Sequence, residues 1–237
     1  VSDLQTLIHL QQYDTRIAAL ETEAARLPKE IEALKTSVAE ARKLVEAVRA
    51  RQESTRKDLR AREKDLDDIA VKRSRSEARL YEVKTNAEYS AVLAEIETIK
   101  GQKAQAEEEI LALMERQESL AGEVREAEAR LKAREEQAKR DEAVIRQKLA
   151  EVEKELEAVR SARASLAREL PRGVLADYER ILKARGGLAI APVTSAAVCG
   201  GCRVTIRPQA IQELRVADAL LRCESCGRYL YWQEPAA

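Results

Sequence analysis

A chain of 237 residues with 35% charged and 3% aromatic residues, no Phe and a single Trp lacks the large side chains that fill an ordinary globular core. Its 42 basic and 42 acidic residues cancel, so the chain as a whole carries no electrostatic signature of a membrane or nucleic-acid binder. No run approaches the roughly 18 apolar residues of a membrane span, and Asp3, Gln5 and His9 stand where a signal peptide would carry basic and apolar blocks, so the expected compartment is the cytoplasm.

The apolar content is mostly Ala, Leu, Val and Ile, which with Glu, Lys and Arg is the composition of a long helix or coiled coil. From Tyr13, apolar residues recur three and four apart through Ile17, Leu20, Ala24, Leu27, Ile31, Leu34, Val38, Ala41, Val45 and Val48, and again at Leu59, Leu66, Ile69, Leu80 and Val83. Gln52, Thr55, Arg62, Arg73 and Ser76 interrupt that seam. Pro28 belongs in a first helical turn rather than in an interior, so the arm is expected to break or kink near Leu27, with a separate short helix before it. A second series runs from Ile96 through Ile110, Leu120, Val124 and Leu131 to Ile145, then shifts phase by one residue and continues through Leu149, Val152, Leu156 and Leu170.

Between the two series, Thr85 followed three residues later by Glu88 forms a capping box, with Asn86 as the alternative cap. A reversal near 84–88 divides the helical region into two arms of about eighty residues, each roughly 120 Å long at 1.5 Å per residue. Equal arms and a short turn predict an antiparallel hairpin over residues 1–170; the competing arrangement is one continuous helix that dimerises. Residues 171–237 then form a second domain. It begins with a hinge helix over 174–184 that carries Leu175, Tyr178, Ile181 and Leu182 on one face and ends at Gly186 and Gly187. Extended character follows over 188–198, with a candidate strand at 204–206, a short helix over 208–216 and a last strand within 220–232. The predicted class is therefore mainly α, a long antiparallel coiled-coil hairpin followed by a small β-containing module.

Cys199, Cys202, Cys223 and Cys226 form two CxxC pairs twenty residues apart, the spacing of a four-cysteine zinc site. Thiols stay reduced in the cytoplasm, which disfavours two disulfides; the βαβ context of a redox CxxC is missing, and an iron–sulfur cluster is the remaining competitor. Gly200, Gly201 and Gly227 let the backbone turn so that amides face the sulfurs, and Arg203 and Arg228 offset thiolate charge. Four protein ligands close the zinc shell, so the single ion is structural. No catalytic constellation accompanies it. His9, the only histidine, stands apart from any Cys, Ser or carboxylate cluster and is read as a helix-surface or packing residue.

Two regions suit a partner. From Pro171 onward nine Lys or Arg stand against six acids, leaving +3 there and −3 in the arms. Arg203, Arg207, Arg222, Arg228, Tyr229 and Tyr231 interleave cations with aromatics in the manner of a nucleic-acid surface, although alternation along the last strand also suits burial of either Leu230 and Trp232 or Tyr229 and Tyr231. At the turn, Lys84, Asn86 and Tyr89, with Tyr81 and neighbouring Arg residues, make a basic, aromatic tip for RNA, DNA or an acidic protein; the competing reading is a turn packed by its own tyrosines.

The sequence Lys84-Thr85-Asn86-Ala87-Glu88-Tyr89, then Glu95-Ile96-Glu97, and the terminal Cys199-x-x-Cys202…Cys223-x-x-Cys226-Gly227-Arg228-x-Leu230-Tyr231 resembles the bacterial coiled-coil hairpin proteins with a C-terminal four-cysteine zinc ribbon. The Ala- and Arg-rich composition is similar to actinobacterial, mycobacterial-type members. The resemblance implies an adaptor or regulator. Members in flagellated and chlamydial bacteria are linked to sigma-54, and one to flagellin messenger RNA. A mycobacterial chain would lack both sigma-54 and flagella, so only the metal ligands carry over cysteine by cysteine. The expected function is a non-enzymatic adaptor with a zinc ribbon on a coiled-coil spacer, binding nucleic acid or transcription-related proteins. The rival is a protein-interaction scaffold or chaperone without nucleic-acid binding. Neither a small-molecule substrate nor a membrane is expected.

Overall fold

The computed structural model describes residues 2–216 and 220–234; Asp218, one of the acids in the terminal charge count, lies outside them. Helix α1 runs over Asp3–Arg79 and α2 over Asn86–Ala167, 77 and 82 residues long. They lie antiparallel, as the cross-helix pairs Arg16–Glu155, Arg49–Glu128 and Arg79–Glu95 record. The chain is thus a helical hairpin, as the heptads predict, rather than a continuous helix.

The seam is built from the residues the 3-4 spacing selects. Leu20, Leu27, Val152 and Leu156 form one buried cluster, and Val48, Leu120 and Val124 another. Thr55 and Ser76, polar interruptions of the pattern, are also buried in it. The expected break at Pro28 does not occur, since α1 continues through it. Proline there removes one N–H, but Leu27 and Ile31 on either side are buried, and their seam contacts outweigh the lost bond. The reversal is fixed as its sequence foretells. The Glu88 amide donates to Thr85 Oγ1 at 3.2 Å, and the Glu88 carboxylate accepts from the amides of Thr85 and Lys84 at 3.2 and 3.3 Å.

After α2, α3 occupies Arg172–Ala184 and α4 Pro208–Val216. Gly186 and Gly187 terminate α3 with φ of +65° and +87°, and the Gly187 amide closes on the Leu182 carbonyl. Three short strands, β1 (Ile190–Val193), β2 (Leu221–Arg222) and β3 (Tyr229–Trp232), form a sheet in the order β1-β3-β2. β3 is parallel to β1 and antiparallel to β2. The candidate strand at 204–206 reduces to an isolated bridge between Thr205 and Val198.

The expected alternation on β3, with one face buried, is replaced by burial of both Tyr229 and Leu230. β3 is the central strand, and two cores claim its two faces. Tyr229 and Ile190 pack with Tyr178 and Ile181 of α3 and with Leu4, Leu7 and Leu10 of α1. Leu230, Ala191 and Val193 pack with the cysteines, Ile206 and Leu214.

Two compact units result, residues 1–31 with 143–237 and residues 32–142. In the first, the buried Gln11 side chain clamps β1. Its amide nitrogen donates to the Gly187 carbonyl at 2.8 Å and its oxygen accepts from the Ala189 amide at 2.7 Å. Beside it, Arg163 donates to both oxygens of Asp14, and the buried Tyr178 hydroxyl donates to the same carboxylate at 2.9 Å.

Candidate metal centre and its surface

Two hairpin-like knuckles bring the cysteines together. At the first, the Arg203 amide returns to the Cys199 carbonyl; at the second, the Gly227 amide returns to the Cys223 carbonyl, with Gly227 at φ +75°. Gly200 lies so close to β1 that an added Cβ would stand 2.8 Å from the Pro192 side chain and 2.9 Å from its carbonyl oxygen. Gly201 is equally crowded by Arg228, whose side chain would be 2.6 Å from such a Cβ.

All four Sγ atoms lie within 4.8 Å of one another, with Cys199 to Cys226 at 3.9 Å and Cys202 to Cys223 at 3.6 Å. A tetrahedron with Zn–S bonds of about 2.3 Å has edges of about 3.8 Å, so the arrangement fits zinc closely. Amides of Gly201 and Cys202 donate to the Cys199 sulfur, and those of Ser225 and Cys226 to the Cys223 sulfur. Burial pushes the Cys199 thiol up to about 12. Burial also works to raise Cys226, but the amide and guanidinium of Arg228 and the neighbouring thiols outweigh it and bring it down to about 6. With all four positions filled by sulfur, zinc here is a structural ion with no site for water or substrate.

The second knuckle is tied to the rest of the unit by arginines, the first by the Gly200 amide, which donates to the Pro192 carbonyl at 2.8 Å. Arg228 Nε donates to the Leu188 carbonyl at 2.8 Å and its terminal nitrogen to the Arg185 carbonyl at 3.0 Å, while Arg185 donates to the Cys226 carbonyl at 2.9 Å. Arg228, read from the sequence as a partner contact, is thus engaged in holding the fold. Tyr229 is likewise internal. Its hydroxyl donates to Asp177 at 2.8 Å, and Arg222 sits 4.9 Å from its ring centroid. A ring this buried has no face for a nucleobase. Tyr231 is half-buried against the α1 and α3 core. Arg203, Arg207 and Arg222 are exposed, with Arg207 paired to Glu224 and Arg222 to Asp177.

One exposed cation–aromatic contact escaped the sequence reading. Arg215 of α4 lies 4.0 Å from the centroid of Trp232. The residues are seventeen positions apart on different elements, and no local spacing connects them. At the turn, Lys84, Asn86 and Tyr89 are all exposed, and His9 is exposed on α1.

Residues 10–186 match the model of the CT398-like coiled coil hairpin domain, and residues 198–230 that of the C4-type zinc ribbon domain. The chain belongs to the CT398-like coiled-coil hairpin family. The fold is similar to that of CT398 from Chlamydia trachomatis, with a TM-score of 0.81 at 23% identity over 97% of both chains. A Mycobacterium smegmatis protein is similar with a TM-score of 0.72 at 21% identity, covering 98% of this chain and 99% of that one. The HP0958 protein from Helicobacter pylori gives 0.62 at 19% identity over 99% of both. No curated protein matches. The two matched domains are a coiled-coil hairpin and a zinc ribbon, and no helix is long and apolar enough to cross a membrane among the described residues.

Proposed function

We propose that this CT398-like protein is a non-enzymatic adaptor whose functional modules are the hairpin, residues 1–170, and a zinc-ribbon head, residues 171–237, and that the head binds nucleic acid. The observation that carries this reading is the set of exposed arginines the zinc-folded head displays, Arg203, Arg207, Arg215 and Arg222, one of them stacked on a half-exposed Trp232. Guanidinium groups beside an aromatic edge suit phosphate contact and base stacking. Binding of this kind weakens with salt as counterions are retained. Of what the resemblance implies, only the class of partner, nucleic acid or a transcription-related protein, enters this reading; sigma-54 and flagellin messenger RNA do not.

A second reading, protein interaction without nucleic acid, is favoured by the engagement of Arg207 with Glu224 and of Arg222 with Asp177. Fluorescence anisotropy of zinc-loaded protein with mixed single-stranded RNA and duplex DNA, at low and physiological salt, separates the two. Salt-sensitive binding lost in Arg215→Glu but kept in Arg42→Glu supports the first. Absence of binding to either nucleic acid at micromolar protein overturns it.

A further inference from the structure

A cavity of about 430 Å³ opens on the head between residues 204–207, α4 and the β2 edge of the sheet. Its volume falls within the roughly 300–1,000 Å³ of small-ligand sites. Ile206, Leu221 and Leu230 supply apolar lining, and Ala210 and Glu213 of α4 stand along one side. Ile206 and Leu230 also belong to the core that holds the cysteines, so the cavity exists only where the zinc site is folded.

The charges on the lining cancel. Arg207 and Arg222 stand against Glu213 and Glu224, and both arginines are engaged, the first by Glu224 and the second by Asp177. Thr205 and Ser225 add two exposed hydroxyls that make no hydrogen bond to the described residues. An ionised occupant gains little from a neutral lining, and a purely aliphatic one makes no use of its donors and acceptors. An uncharged group that carries both suits it, and on a head that binds nucleic acid that group is a base. The surroundings extend the same surface. Trp232 follows Leu230 by two positions on β3, hence on the same face of the sheet, and lies under Arg215 of α4.

We infer that the cavity receives one unstacked base, so that the head prefers single-stranded nucleic acid to duplex; this rests on the reading of the head as a nucleic-acid binder. A base within a duplex is stacked and paired, and enters such a site only by being extruded. Phosphate contact by arginines alone acts in the opposite sense, because a duplex has the higher charge density and releases more counterions per contact. The sign of the preference therefore separates a base in the cavity from arginines on a backbone.

The test uses full-length, zinc-loaded protein with a single strand in which 2-aminopurine alternates with cytosine, and with the duplex that strand forms with its complement. Stacking quenches 2-aminopurine, and its emission rises when it or its neighbour leaves the stack; no aromatic residue lines the cavity to quench it there. The expected result is binding of the single strand at least about fivefold tighter than of the duplex at physiological salt, together with a rise in emission. Ala210→Leu, which fills the cavity, is expected to abolish both the rise and the preference while salt-sensitive binding remains, with zinc content and melting confirming that the variant is folded. The measurements on the unaltered protein need no variant. Binding of neither form overturns the nucleic-acid reading of the head and this inference with it. Duplex bound as tightly as single strand, or single strand bound without a rise in emission, overturns this inference alone, as does a rise that persists in folded Ala210→Leu.

Discussion

The ribbon-containing unit and the hairpin segment over 32–142 are made by the same chain under opposite rules. In the segment, the buried seam is narrow, small clusters such as Val48 with Leu120 and Val124 repeat along it, and exposed ion pairs line its flanks. Each contact has neighbours that do the same thing. In the ribbon-containing unit, single groups have no substitute: four sulfurs, a glycine against Pro192, one glutamine on three backbone groups. Periodic structure distributes its stability, whereas a small core without phenylalanine concentrates it in a few specific groups.

The sharpest way to break the comparison is to remove the zinc. Structural zinc contributes on the order of 10 kcal/mol in small domains, so chelation or Cys223→Ser is expected to unfold the head while leaving most helical circular dichroism intact. Trp232 fluorescence and zinc content report the first, far-ultraviolet dichroism the second. Loss of both signals together would show that the two regions are one cooperative unit. Next in size is Gln11→Ala, which strands the Ala189 and Ile190 amides and the Gly187 carbonyl. At about 1–3 kcal/mol for each unsatisfied group, it is expected to lower the melting of the ribbon-containing unit by several kcal/mol, measured by chemical denaturation. Gly200→Ala should cost about 1–3 kcal/mol through overpacking on Pro192, read in the same assay.

Acid provides a finer probe. Burial works to raise Asp177, but hydrogen bonds from Arg180 and Tyr229 and the charge of Arg222 outweigh it, holding the carboxyl below its usual 3.8. A depressed carboxylate adds stability that is present above its unfolded value and lost as pH falls through the folded one. The ribbon-containing unit should therefore lose stability below about pH 4, and Asp177→Asn should flatten that part of the profile. The smallest effect belongs to the segment. Arg49→Ala removes the exposed pair with Glu128 and is expected to cost about 1 kcal/mol or less, within the range of surface pairs.

What could be read in advance divides along the same line. Heptads, the capping box and the cysteine spacing are local patterns, and each corresponds to a feature of the fold. The core around Leu4, Leu7 and Leu10 was not legible, because the seam was read only from Tyr13 onward and nothing local shows that α3 and β1 are laid against these leucines and Gln11. The same applies to β3, whose alternation was read as one buried face because its two neighbouring strands lie elsewhere in the sequence. Pro28 misled in the other direction, a local rule overridden by the burial of Leu27 and Ile31.

The Gln11 clamp joins groups 176 to 179 positions apart. Closing a free loop of that length costs roughly (3/2)RT ln n in entropy, on the order of 5 kcal/mol, and during synthesis residues 4–11 wait for 187–190 with their leucines uncovered. Pairing of α1 with α2, as at Arg16–Glu155, holds residues 4–11 near 187–190, so a chain whose helices are already paired closes the clamp over a far shorter loop. The hairpin is in this sense a folding catalyst for its own head, and an insertion in one arm alone should slow the maturation of the zinc ribbon without touching a single one of its residues.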